Sequence, residues 1–192
     1  MCAARASPPD GDGGGKVKND VIPGFYWLIA DELAGCSRPG GRGSQRRGAG
    51  AAESQEEATL TALDRDLAWL RAQGIRAVLS LTETQLDQEA LVRQGLASLH
   101  LPVPDMHAPT PDQIMRALGF IDRQRAAGHA VVVHCLVGQG RTGTILAAYR
   151  IRAGATPEEA LRQVRAVCPG AVESAVQQEA LRRFAARRDW IL

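Results

Sequence analysis

From residue 57 onward, apolar side chains recur at helical spacing: Leu60, Leu63, Leu67 and Leu70 fall on one face, and Gly74 stands just past them as a stop. Ile75 to Leu81 then reads as a strand, Gln85 to Gln94 as a helix, and Leu96 to Val103 as a further strand. Pro111 opens a helix that runs to Ala127 with Ile114, Leu118 and Ile121 at helical spacing. Proline suits that first turn, where its missing N–H would have had no partner. Ala130 to His134 is β-branched and apolar on both faces, as a strand in the middle of a parallel sheet must be. The chain then stays helical to its end. Thr156-Pro-Glu-Glu159 forms a capping box for one helix, and Val176, Ala180 and Phe184 mark the inner face of the last. Ahead of all this, Phe25 to Ile29 makes a short strand with Leu33 to Cys36 as its hairpin partner. Strands alternating with helices predict an α/β fold: a mainly parallel sheet of four or five strands flanked by helices, with the strand ending at His134 in the centre.

Two stretches break the pattern. Residues 1–20 are polar, rich in Gly and Pro and without period, which predicts a disordered tail ahead of one folded domain at 21–192. Within that domain the run SRPGGRGSQRRGAGAAE has no apolar anchor, so a flexible Gly/Arg-rich insertion is expected at about 37–56, with Arg38, Arg42, Arg46 and Arg47 solvated. A length of 192 residues is too short for two α/β domains. The longest apolar stretch, Ala130 to Val137, is interrupted by His134 and falls far short of the ~20 residues needed to span a bilayer. Met1 to Gly15 lacks the apolar core of a signal peptide, so a cytoplasmic protein with no membrane partner is expected, as a monomer. A net charge of +2 and 4% aromatic residues argue against a nucleic-acid partner. Cys2, Cys36, Cys135 and Cys168 show no C-x-x-C spacing, which points to neither a metal site nor a disulfide framework.

Chemistry concentrates in His134-Cys-Leu-Val-Gly-Gln-Gly-Arg-Thr-Gly-Thr144, between the buried strand and a helix. Parallel sheets place their ligand sites at the carboxyl ends of strands, so position alone makes this loop a candidate. Gly138, Gly140 and Gly143 allow successive N–H groups to face one concavity at a helix N-terminus, where a phosphate-sized anion is held. Arg141 adds a planar fork of donors for two oxygens of such an anion. Cys135 opens the cradle, and the dipoles that attract phosphate also stabilise a thiolate. A thiolate facing a phosphomonoester can attack phosphorus in line with no cofactor and no metal. The same residues match G-x-G-x-x-G, but no strand follows the helix and a dinucleotide-binding unit requires one.

This segment resembles the H-C-x-x-G-x-x-R-[ST]-G signature of the cysteine-dependent protein tyrosine and dual-specificity phosphatases. Leu101-Pro-Val-Pro-Asp105, about thirty residues upstream, resembles their general-acid loop. Pro169-Gly-Ala-Val-Glu173 and the short C-terminal helices are most similar to the small atypical dual-specificity phosphatases called VHZ. The resemblance implies that Cys135 forms a phosphocysteine, and that Arg141 and the loop Leu136, Val137, Gly138, Gln139 and Gly140 bind phosphate. It further implies that Asp105 protonates the leaving oxygen and later deprotonates water, and that Thr142 donates its hydroxyl to the sulfur. His134 would orient the loop from behind, and Glu173 and Gln177 would match the polar positions that place the hydrolytic water.

None of Leu136, Val137 and Gln139 is basic, which disfavours phosphoinositides, whose extra phosphates call for lysines in this loop. The expected substrate is a phosphotyrosine protein or a small aryl phosphate, with phosphoserine and phosphothreonine reached if the pocket is shallow. Three alternatives are a non-catalytic phosphate-binding module, an RNA 5′-triphosphatase on the same scaffold, and thiol chemistry such as sulfur transfer or arsenate reduction. Enzymes of the last kind lack the R-T-G continuation. Cys36 or Cys168 would be the partner of Cys135 in any reversible disulfide.

Overall fold

A computed structural model of the chain describes residues 22–41 and 55–187. Within them the strands are β1 (Tyr26–Ile29), β2 (Leu33–Cys36), β3 (Ile75–Ser80), β4 (Ala97–His100) and β5 (Ala130–His134). The helices are α1 (Gln55–Ala72), α2 (Gln88–Arg93), α3 (Pro111–Ala126), α4 (Gly140–Arg152), α5 (Pro157–Val167) and α6 (Ala175–Ala186). Among the described residues the strands form one sheet in the order β1-β2-β5-β3-β4. Only the β1–β2 hairpin is antiparallel, so the sheet is mainly parallel and β5 is its central strand, as the run Ala130 to His134 predicts.

β5 is buried along its whole length because it feeds two cores. Val131 and Val133 join Ile114, Leu118, Ile121, Ile145 and Leu146 on the face covered by α3 to α6. Val132 points the other way, to Leu63, Leu67 and Leu70 of α1 and Leu91 of α2. A fully buried valine contributes about 1.5–3 kcal/mol, so this strand alone anchors both layers.

Capping follows the predicted chemistry at Thr156, whose side chain accepts from Glu159 N while Glu159 accepts from Thr156 N. Pro111 likewise occupies the first turn of α3, where Thr110 and Gln113 form a second box. The predicted Gln85–Gln94 helix is shorter, because Asp87 caps it by accepting from Glu89 N. The strand predicted over Leu96–Val103 ends at His100. Its backbone stays extended, however, with Leu101 N donating to Ser80 O and Val103 N to Leu81 O, while Pro102 and Pro104 have no N–H to offer.

Two expectations are corrected. The inner face of α6 is Gln177, Leu181 and Phe184, and Val176 is 61% exposed. Ser174 caps α6 by accepting from Gln177 N, which turns Gln177 inward in place of Val176. The start of the expected insertion is built into the fold. Arg38 donates to Thr82 Oγ1 at 2.9 Å, Thr84 O at 2.7 Å and Gln85 O at 3.2 Å, so it is not a solvated arginine. α1 begins at Gln55. The tail at 1–20 and Arg42, Arg46 and Arg47 lie outside the described residues.

Candidate active site

The segment after β5 turns through Cys135 to Gln139 and enters α4 at Gly140. Cys135 is 3% exposed, and its Sγ accepts from Gly138 N at 3.3 Å. Gly138 has φ +84°, a left-handed conformation that favours glycine, and a Cβ there would lie 2.5 Å from the Cys36 carbonyl carbon. The other two glycines are needed for close approach. A Cβ on Gly140 would meet Glu173 Oε2 at 2.7 Å and Gln177 Nε2 at 2.9 Å, and one on Gly143 would meet Ala171 Cβ at 2.9 Å.

The loop carbonyls are held from behind: Leu136 O accepts from Arg38 N, and Gln139 O from Gly143 N and Val172 N. Leu136 and Val137 expose their side chains, at 54% and 56%, so what they can offer a bound anion is their backbone. Gln139 lays its side chain against Gly170.

Arg141 reaches from the first turn of α4 into the same cleft and is itself buried. Its Nη1 donates to Val103 O at 2.8 Å and its Nη2 to Asp105 Oδ1 at 2.7 Å. The two members of this pair differ in solvation: the arginine side chain is 3% exposed and the aspartate side chain 57%. Thr142 Oγ1 is buried with no hydrogen-bond partner, so a donor stands unused one residue beyond Arg141.

Cys135, Arg141, Asp105, Met106, Val137, Gly140, Glu173 and Gln177 line one cleft. Both sides of its rim hold a residue other than glycine with positive φ: Met106 at 60° beside Asp105, and Val172 at 57° beside Glu173. Such backbone costs on the order of 1–2 kcal/mol and persists only where neighbours fix it. Ser174 Oγ donates to Met106 O and Gln177 Nε2 to His107 O on one side. Arg165 donates to the carbonyls of Ala171 and Val172 on the other. Gln177 therefore ties the Asp105 loop to α6, a contact for which the sequence holds no local signal. Cys168 is the C-cap of α5, nearly buried, with its thiol toward Gly138 O at 4.0 Å.

His134 lies behind the loop, fully buried, with Nε2 2.7 Å from Ser80 Oγ and Nδ1 3.3 Å from Cys135 O. Burial pushes its imidazole down to about 3, so it is neutral and joins β3 to the start of the loop. The unfolded chain takes up this proton near pH 6.5 and the folded chain does not. The stability that neutral His134 contributes is complete above that pH and is lost as the pH falls from about 6.5 toward 3, by at most about 1.4 kcal/mol per pH unit. Thermal unfolding followed between pH 7 and 4 will show a falling midpoint, and His134→Gln, which keeps an amide facing Ser80, will fall less steeply. Equal slopes would contradict this account of the histidine.

Comparison with known proteins places this geometry in context. Residues 49–155 match the family model described as "Polymorphic toxin system, DSP-PTPase phosphatase". The chain is similar to the phosphatidylglycerophosphate phosphatase PTPMT1 of Arabidopsis thaliana, at 32% identity over 124 residues, 60% of this chain and 36% of that protein. It is also similar to the phosphatidylglycerophosphatase and protein-tyrosine phosphatase 1 of Homo sapiens, at 36% identity over 74 residues, 38% of this chain and 37% of that protein. The matches thus span little more than a third of the length of these two relatives. Among solved structures, Tk-PTP in its active form superposes with a TM-score of 0.69 at 28% identity, covering 86% of this chain and 98% of that one.

Proposed function

As a member of the DSP-PTPase phosphatase family of polymorphic toxin systems, this chain has a family context for its cleft, and we propose that it hydrolyses phosphomonoesters through a phosphocysteine intermediate. The observation that carries the reading is the convergence of Cys135, Arg141 and Asp105 on one cleft at the carboxyl end of β5. A phosphate dianion entering the cradle offers Arg141 a stronger partner than the half-exposed Asp105 carboxylate, so Nη2 passes from Asp105 to a phosphate oxygen. The Cys135 thiolate then attacks phosphorus. The phosphorus–oxygen bond to the leaving group breaks, and the leaving oxygen takes a proton from Asp105. In the second step Asp105 takes a proton from water as that water attacks the phosphocysteine. The sulfur leaves as thiolate with the unpartnered Thr142 hydroxyl available to it. The backbone N–H groups of Leu136 to Gly140 and the Arg141 fork hold the equatorial oxygens throughout. His134 anchors the loop from the β3 side, and Gln177 and Glu173 border the space where water must enter.

The substrate is a phosphotyrosine protein or an aryl phosphate, because Val137 and Met106 give the cleft an exposed apolar mouth and the loop offers no lysine for a second phosphate. A lipid carrying one phosphate is the second reading. It is favoured by the same mouth and by the phosphatidylglycerophosphate named for the plant and human relatives. The test is initial rates with a chelator present, on a phosphotyrosine peptide, on p-nitrophenyl phosphate and on phosphatidylglycerophosphate in mixed vesicles. Turnover of the peptide and the aryl ester at rates above the lipid is the expected result. Preference for the lipid would transfer the assignment to the second reading, and binding of phosphotyrosine with no turnover of any ester would make the cleft a recognition site.

A further inference from the structure

Tyr26 lies in β1, the edge strand of the sheet, outside the cleft lining, and it carries no part of the chemistry described above. Its hydroxyl nonetheless donates to Gly138 O at 3.0 Å across 112 positions of sequence. The ring reaches that carbonyl by crossing its cross-strand partner, Gly35. A Cβ on Gly35 would lie 2.4 Å from the ring carbon Cζ and 2.5 Å from the hydroxyl oxygen, so the seat exists only because residue 35 has no side chain. The Cys168 thiol approaches the same carbonyl at 4.0 Å. Burial holds the Tyr26 hydroxyl well above the usual phenol range, which keeps it a donor near neutral pH.

We propose that Tyr26 is a positioning residue for the phosphate cradle, fixing the peptide between Gly138 and Gln139 so that the Gln139 N–H faces the bound oxyanion. The C=O of Gly138 and the N–H of Gln139 belong to one planar trans unit and point in opposite directions. Holding the oxygen toward Tyr26 on the sheet side turns the N–H toward the cleft side. Gly138, at φ +84°, is where this backbone is least restrained by its own sterics, so an external hold has the most to decide there. Arg38 N and Val172 N treat the carbonyls of Leu136 and Gln139 in the same way, but each does so with a backbone N–H. Tyr26 supplies the corresponding hold with a side chain, which can be removed without changing any residue of the loop itself. The inference rests on the phosphate-cradle reading of the proposed function.

The test uses the full chain and orthovanadate, whose binding is measured by calorimetry without any turnover. In Tyr26→Phe the ring keeps its seat and only the hydroxyl is lost. Vanadate affinity and kcat/KM should both fall roughly 3- to 10-fold, the range of one neutral hydrogen bond. The melting temperature should stay within about 3 °C, the shift that the loss of one hydrogen bond of that size produces in a domain of this length. Gly35→Ala keeps the hydroxyl but displaces the ring, and it should reproduce the loss of vanadate affinity. Wild-type affinity in Tyr26→Phe overturns the proposal, as does a lowered melting temperature with affinity unchanged, which would make Tyr26 a packing residue. Wild-type protein that binds vanadate in a Tyr26-dependent way yet cleaves no phosphoester would retain the proposal and sink the phosphatase reading. Wild-type protein that binds no vanadate would sink both.

Discussion

Cys135→Ser will abolish turnover while leaving the oxyanion cradle intact. Serine is nearly isosteric with cysteine, and the site at residue 135 is closed, so the hydrogen bond from Gly138 N finds an oxygen where it found a sulfur. What disappears is the sulfur nucleophile, and a serine hydroxyl is a far weaker one. His134, adjacent in sequence, points Nε2 at Ser80 and Nδ1 at the Cys135 carbonyl, and burial keeps its affinity for protons very low. The expected drop in kcat is at least about 10⁴-fold, on the scale of other nucleophile deletions. Vanadate and phosphopeptide binding should stay within a few-fold of wild type. Retained turnover in the serine variant would remove covalent catalysis from the account.

Asp105→Asn is expected to act in two opposite directions. Loss of the proton donor lowers kcat by about 10²–10³-fold on esters with poor leaving groups, and by less on p-nitrophenyl phosphate, whose leaving oxygen needs little protonation. The same substitution removes the carboxylate that holds Arg141 Nη2 in the unliganded protein. Because the aspartate side chain is 57% exposed, that ion pair contributes about 1 kcal/mol or less, and its release should tighten vanadate binding by at most a few-fold. Weaker vanadate binding in Asp105→Asn would show that the ion pair organises the cradle and does not compete with its ligand.

The central strand, the signature loop and the helix after it were legible because their signals are local. A doubly apolar strand, three glycines, a cysteine and an arginine lie within fourteen consecutive residues, Ala130 to Gly143. Asp105 is singled out only through resemblance, since an aspartate between Pro104 and Met106 otherwise reads as an ordinary turn residue. What the sequence left hidden depends on contacts between distant elements. Ser80 meets His134 across 54 positions, Gln177 holds the His107 carbonyl across 70, and Tyr26 reaches Gly138 across 112. Arg38 reads as a loop arginine because its neighbours are Gly, Ser and Pro, yet three oxygens beyond the end of β3 give its guanidinium a seat. The phase of α6 is hidden for a related reason. Val176 is the more apolar residue, but the capping box fixes the helix so that polar Gln177 faces the cleft.

The most direct test of the account is to trap the intermediate. Wild-type protein mixed with p-nitrophenyl phosphate is quenched in acid after one turnover, digested, and the peptide containing Cys135 weighed. The account predicts one added phosphoryl group on Cys135, accumulating further in Asp105→Asn with substrates whose second step is slowed, and none in Cys135→Ser. Hydrolysis by wild-type protein with no phosphoryl group on Cys135 at any quench time, and no loss of rate in Cys135→Ser, would contradict it.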